Sequence, residues 1–212
     1  MIPTPTASRL ARLLTILDRL LQENEEKVSS SKLAFLSGYP AHTIRKDINH
    51  LGNPGENGAG YEVKTLHQFI KQRLNLSKPI KAVIVGLGRL GSSILSYPGF
   101  ENKGIEIVAG FDSSLNKIEQ MSNAIPLHPS FEIEEVVQSL NAELGIIATP
   151  AQSAQKSADR LVRGGVKGIL NFASATLRVP STVLVRNLYV ADELLVLATQ
   201  VRSNKTNFDT LS

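Results

Sequence analysis

Residues 81–91 read Lys81-Ala82-Val83-Ile84-Val85-Gly86-Leu87-Gly88-Arg89-Leu90-Gly91. An apolar run that passes through G-x-G-x-x-G into helical spacing has the makings of a phosphate cradle. Gly86 permits the tight turn, Gly88 lets a pyrophosphate approach the backbone at a helix start, and Gly91 lets helix pack close on strand. A second apolar run, Glu106–Phe111, ends in Asp112, 24 residues after Gly88. A carboxylate at that place accepts both ribose hydroxyls of an adenosine and repels a 2′-phosphate, so the expected ligand is NAD(H) rather than NADP(H). Ser113 and Ser114 soften the preference, because hydroxyls also face phosphate. A glycine turn that merely packs a helix is the plain alternative. Strand, helix and Asp in register count against it. Two later runs end in Ala148-Thr149-Pro150-Ala151 and Asn171-Phe172-Ala173-Ser174. Both fall at carboxyl ends of strands, which makes Thr149 and Asn171 candidates for the nicotinamide end, with Pro150 beside Thr149 in the expected cofactor site. Capping of a turn or helix is the equal alternative for each taken singly.

A different chemistry is written into residues 40–51. At 100° per residue, Ile44, Ile48 and Leu51 form one narrow apolar stripe. His42, Lys46, Asn49 and His50 lie opposite, with Arg45 on the flank. Arg45 and Lys46 can reach bases or phosphates from a major groove, and Asn49 has an amide suited to adenine. Asp47 lies nearer the stripe and is expected to pair with an arginine of the first helix. An ordinary solvated face is the alternative for Arg45 and Lys46. The segment after this helix, Gly52 to Val63, holds four glycines and a proline within nine residues, then the alternation Tyr61-Glu62-Val63. It reads as a β-wing, with Gly58, Gly60 and Tyr61 at the DNA.

Several chemistries are missing. There are no cysteines, hence no disulfide, thiolate zinc site or cysteine nucleophile. No metal site is expected. No Tyr-x-x-x-Lys pair occurs, and His128 sits in a His-Pro turn away from the expected ligand edge. Lys156, Asp159 and Lys167 read as solvated helix or loop faces. A dinucleotide site without a proton carrier points to sensing rather than hydride transfer, and no catalytic residue is assigned.

The elements that must position these groups fall into two rhythms. Ser8–Leu21 has helical spacing, with Thr6 or Ser8 as its cap; a short helix follows at 32–36, closed by Gly38; Pro40 opens the helix 40–51. Two helices joined by a Gly-containing turn match a helix-turn-helix. Lys64–Leu74 is helical again, and Ser77-Lys78-Pro79 breaks the pattern. From residue 80, apolar runs at 82–85, 105–111, 144–148 and 166–172 alternate with helices near 89–97, 131–141 and 151–163, the signature of parallel βαβ units. Short strands at Ile125–Leu127 and Thr182–Val185 complete the sheet. The expected class is therefore α/β: a winged helix-turn-helix domain (1–78), a Rossmann-type parallel-sheet domain (79–188), a largely apolar last helix (190–201, within 189–202) and a polar tail (203–212). Residues 1–78 carry 11 Lys+Arg and 7 Asp+Glu, while 79–212 carry 12 of each, so the whole net charge of +4 lies in the first unit. A basic module beside a neutral one suits a polyanionic partner. No apolar run approaches the roughly 18 residues of a membrane span, and no signal-peptide core precedes the first helix, so a cytoplasmic protein is expected.

These residues resemble one family, the Rex redox-sensing transcriptional repressors. The resemblance spans nearly the whole chain. It rests on Ile44-Arg45-Lys46-Asp47, the wing Gly55-x-x-Gly58-x-Gly60-Tyr61-x-Val63, Gly86–Gly91, Tyr97-Pro98-Gly99-Phe100, Phe111-Asp112, Pro150-Ala151, Ala158-Asp159 and Gly168–Ala173. It implies a homodimer on palindromic double-stranded operator DNA, released by NADH with NAD+ competing. It implies that the last helix is exchanged between subunits, and that Tyr97 feels the nicotinamide end. Three positions depart from the family pattern: Arg89 replaces a usual Asn, Ser174 a common Pro, and Tyr189 an Asp that takes part in the cofactor-linked switch with the tyrosine matching Tyr97. Arg89 can still neutralise a pyrophosphate. The Tyr189 change leaves open a regulator whose dinucleotide is structural or weakly redox-discriminating. An NAD-dependent oxidoreductase is the remaining alternative, since Ala148-Thr149-Pro150 also occurs in small-substrate dehydrogenases.

Overall fold

The computed structural model describes residues 2–52, 54, 60–121 and 124–209, with side chains described through 203. It divides into two units, Met1–Lys78 and Pro79–Ser212. The first unit runs α1 (Thr4–Gln22), β1 (Lys27–Val28), α2 (Ser30–Ser37), α3 (Ala41–Leu51), β2 (Tyr61–Glu62), α4 (Val63–Arg73). Helix α1 starts earlier than its apolar spacing suggests. Pro3 occupies the cap position without a side-chain bond, and Pro5 lies in the first turn, where its fixed φ suits a helix start. Neither Thr6 nor Ser8 caps it; the Thr6 hydroxyl instead donates to Asp47 at 3.3 Å. The Ser29 side chain accepts from Lys32 N–H at 3.0 Å to open α2, and Gly38 closes it in the left-handed region. Leu10, Leu13, Leu17, Leu33, Ile44, Ile48, Leu66 and Ile70 from the four helices make one core with no exposed surface. β1 and β2 pair antiparallel, Val28 opposite Tyr61. Gly60 takes φ 77°, and a Cβ there would lie 3.0 Å from the Val28 carbonyl, so the entry to β2 requires glycine. Gly58 lies outside the described residues.

The second unit holds β3 (Ile80–Val85), α5 (Arg89–Leu95), β4 (Ile105–Asp112), α6 (Leu115–Gln120), β5 (Leu127–Pro129), α7 (Ile133–Leu140), β6 (Leu144–Ile147), α8 (Ala151–Gly164), β7 (Gly168–Asn171), β8 (Leu184–Asn187) and α9 (Val190–Asp209), with 3-10 turns at Glu101–Lys103 and Ser130–Glu132. The six strands are all parallel, in the order β5-β4-β3-β6-β7-β8. Numbered within the unit this is 3-2-1-4-5-6, the doubly wound order whose switch point lies between β3 and β6. Successive residues of β3 face opposite sides: Val83 and Val85 join the core formed with α7 and α8, while Ile84 packs with Ile94 and Leu95 of α5.

The edge strands sit two residues beyond their expected places. Pairing decides this: Gly110 faces Leu127, and Gly168 faces Leu184. His128 consequently lies within β5, stacked on Phe111 with centroids 5.7 Å apart, and not in a turn. Helix α6 is absent from the sequence reading because it is only six residues long and mostly polar; the Ser114 hydroxyl caps it. Helix α9 continues past the expected end at 201 to Asp209.

Candidate ligand cleft and nucleic-acid interface

A cleft of about 530 Å³ opens at the switch point, lined on one side by Gly86, Gly88, Arg89 and Leu90 and on the other by Ala148, Thr149 and Pro150. Each glycine has its own reason. Gly86 takes φ 96°, and a Cβ on it would lie 2.7 Å from the Ala148 carbonyl oxygen. A Cβ on Gly91 would run into the Gly86 carbonyl, so only glycine lets α5 approach β3. A Cβ on Gly88 would meet nothing within 4 Å. The protein itself does not need glycine there, whereas a ligand approaching that backbone does. Leu87 points inward, 3% exposed, against Ile84 and Ile146.

Asp112 ends β4 at the floor of the cleft, 7% exposed. Its carboxylate accepts from Leu87 N–H at 2.8 Å and Ser114 N–H at 2.9 Å, and Lys117 Nζ lies 3.5 Å away. Burial pushes this carboxyl up. The N–H groups of Ser114 and Leu87 together with the Lys117 ammonium outweigh burial and hold it below its usual range. The carboxylate thus ties the glycine loop to β4, and keeps lone-pair capacity for a ribose hydroxyl.

Thr149 Oγ1 is a buried side-chain oxygen without a partner, and its residue lines the cleft. Buried hydroxyls are normally satisfied, so this one fits a ligand's donor or acceptor. Together with the empty space over Gly88, it supports a dinucleotide in this cleft. Asn171 does not line this cleft. It is fully enclosed: Nδ2 donates to the Ala175 carbonyl and to Asn187 Oδ1, each at 2.9 Å, and Oδ1 accepts from Ala173 N–H at 3.0 Å. The amide braces β7 to β8 with both Nδ2 protons engaged and one lone pair of Oδ1 left over. Tyr97 is also outside the cleft, 60% exposed and edge-on to Phe100 at 5.3 Å. A neighbouring cleft of about 490 Å³ is lined by Leu90, Phe172, Ser174, Tyr189 and Asp192. There the Tyr189 hydroxyl donates to the Ala175 carbonyl at 3.1 Å.

Lys117, Ser130, Ser153, Ser157 and Arg160 also line the cleft without being singled out by the sequence pattern, and Lys156 lines it where a plain solvated face is expected. A signal for those on one helix is present. Ser153, Lys156, Ser157 and Arg160 recur at i, i+3, i+4 and i+7 directly after the Thr149-Pro150 strand end, which puts a polar stripe on one helix face.

In the first unit, Ile44, Ile48 and Leu51 are buried, and His42, Arg45, Lys46, Asn49 and His50 are exposed. Arg45 Nη1 donates to Ser30 Oγ at 2.9 Å. Burial raises the Tyr61 hydroxyl above its usual pKa, against the opposing charge of Arg45 nearby. Asp47 pairs with Arg9 of α1, as its place near the apolar stripe implies. Arg9 Nε to Oδ2 is 2.5 Å and Nη2 to Oδ1 2.8 Å. This pair fixes the roll of α3 and with it the exposed cationic face. Among the described residues, no group of three His, Asp or Glu could hold a metal, and no helix is long and apolar enough to cross a membrane.

The family model described as "CoA binding domain" matches residues 77–175, and the one described as "Putative DNA-binding protein N-terminus" matches residues 1–49. The redox-sensing transcriptional repressor Rex of Carboxydothermus hydrogenoformans is 41% identical over 201 residues, covering 95% of this chain and 97% of that protein. The crystal structure of RSP in complex with β-NAD+ and operator DNA aligns over all of this chain and 97% of that one, at 30% identity and a TM-score of 0.87. The structure of RSP with β-NADH aligns over all of this chain and 99% of that one, at 29% identity and a TM-score of 0.85. A winged-helix unit and a doubly wound nucleotide-fold unit in one chain, with these relatives, define a transcriptional regulator rather than an enzyme. The chain belongs to the Rex family of redox-sensing transcriptional repressors.

Proposed function

We propose that this chain is a cytoplasmic homodimeric repressor that binds palindromic duplex DNA through α3 and the wing and senses NADH against NAD+ in the switch-point cleft. NADH favours release. The observation that carries this reading is the combination in one chain of an exposed cationic face on α3 and a glycine-walled cleft with open space over Gly88. That RSP, a Rex-family repressor, has been crystallised with β-NAD+ and operator DNA, and with β-NADH, supports it. The residues proposed for DNA are His42, Arg45, Lys46, Asn49, Gly58, Gly60 and Tyr61. Those proposed for the dinucleotide are Gly86 to Gly91, Asp112, Thr149 and Pro150. Exposed Leu194, Leu195, Val196, Leu197 and Val201 on α9 favour a second copy as cover for that helix. The test is a duplex selected from a random library by the unmodified protein, then titrated with each nucleotide. NADH should release it at lower concentration than NAD+. No effect of either nucleotide would overturn the sensor reading.

A second reading is favoured by Tyr189. Its hydroxyl is already bonded to the Ala175 carbonyl, and no carboxylate stands in its place. A regulator with a reduced preference for NADH over NAD+ follows from that substitution, because a neutral hydrogen bond is about half as strong as a charge-assisted one.

A further inference from the structure

The switch-point cleft carries more positive charge than its own residues neutralise. Four cations line it, Arg89, Lys117, Lys156 and Arg160, against one carboxylate, Asp112. Two of the four are engaged: Lys117 Nζ lies 3.5 Å from Asp112, and Arg160 Nη1 donates to the Ser130 carbonyl at 2.6 Å. Arg89 and Lys156 are exposed and have no side-chain partner among the described residues. They come from opposite sides of the sheet. Arg89 opens α5, whose Ile94 and Leu95 pack on one face; Lys156 sits on α8, whose Ala154, Ala158 and Leu161 pack on the other. Lys156 also stands one turn before Arg160 on the cleft face of α8. Like charges at that spacing repel each other, and an anion between them removes the repulsion.

We infer that Arg89 and Lys156 clamp the two phosphates of a dinucleotide from the two walls of the cleft. The inference rests on the nucleotide reading above and adds side chains to what the glycine loop does with backbone. It has a consequence for specificity. The phosphates are the same in oxidised and reduced nucleotide, so the clamp strengthens both equally and contributes nothing to redox discrimination. Its contribution is also between exposed groups, and salt screens it.

The experiment measures dissociation constants of NADH and NAD+ for the full chain by calorimetry, at low and at high salt. The proteins are the unmodified chain, Arg89→Gln, Lys156→Gln and Lys156→Arg. At low salt each Gln variant should weaken both nucleotides by the same factor, on the order of tenfold, the lower end for a hydrogen bond to a charged group. The deficit should shrink at high salt, and Lys156→Arg should retain the unmodified affinity. Unmodified affinity in Lys156→Gln at low salt overturns the clamp and leaves the nucleotide reading standing. Weakening of one redox form alone also overturns it, because the side chain then reads the nicotinamide. If the unmodified protein binds neither nucleotide, the nucleotide reading falls and the clamp with it.

Discussion

Removing the Asp47 carboxylate should loosen α3 from α1 without touching the DNA-facing surface. The group is 5% exposed and accepts from Arg9 Nε, Arg9 Nη2 and Thr6 Oγ1. Cutting one partner from a buried ion pair costs about 3–5 kcal/mol. Here the Arg9 side chain is 22% exposed, so the freed guanidinium regains water and the cost falls to about 2 kcal/mol. A unit of this size loses about 4–8 °C of melting temperature per kcal/mol, which gives a drop of about 8–16 °C in its own transition. The assays are thermal melting and urea unfolding of the full chain for Asp47→Asn, Arg9→Met and the double variant. The coupling energy from the cycle should be about 1–2 kcal/mol. At a temperature where the variant is folded, DNA affinity should fall while its salt dependence keeps the same slope, because no phosphate contact is lost. A coupling below about 0.5 kcal/mol, or a changed salt slope, would refute the bracing role.

Arg45→Ala or Lys46→Ala should weaken duplex binding by about 1–3 kcal/mol where the contact is to a base edge, measured by fluorescence anisotropy; unchanged affinity in both would remove α3 from the interface. Gly88→Val should abolish dinucleotide binding with the melting temperature intact, since its Cβ meets no protein atom, whereas Gly91→Ala should destabilise the fold itself; a Gly88→Val protein that unfolds would show that the glycine serves the chain and not a ligand. The Asp112 carboxyl is held below its usual range, so its stabilising effect is complete above the ordinary carboxylate pKa and is lost as pH falls through the lower folded value; acid unfolding of Asp112→Asn should lack that component, and a transition near neutral pH that vanishes in the variant would contradict it. Tyr189→Asp should widen the gap between NADH and NAD+ in releasing DNA. A wild-type chain that already answers NADH and ignores NAD+ over a wide concentration range would clear Tyr189 of any weakness.

Much of this molecule is local enough to read along the chain. The Gly86–Gly91 loop is legible because a turn, a close backbone approach and a helix–strand contact each demand glycine at a set spacing. The stripe Ile44, Ile48, Leu51 is legible because helical periodicity alone decides which residues turn inward, and Asp47 beside that stripe already implies its pairing with α1. Strand register is different. β5 and β8 are placed by hydrogen bonding to Gly110 and Gly168, partners distant in sequence, so local alternation misplaced both by two residues. The fate of individual polar groups is likewise tertiary. Asn171 and Thr149 both stand near carboxyl ends of strands and look equivalent in sequence; folding makes Asn171 the last residue of β7, its amide enclosed among Ala173, Ala175 and Asn187, and leaves the Thr149 hydroxyl just past β6 buried without a partner. The charge of the cleft is decided the same way. Arg89 is legible as part of the phosphate loop, but Lys156 reads as a solvated face and nothing along the chain ties Lys117 or Arg160 to it; only the doubly wound sheet, by splaying α5 and α8 to opposite faces at its switch point, gathers the four around one volume.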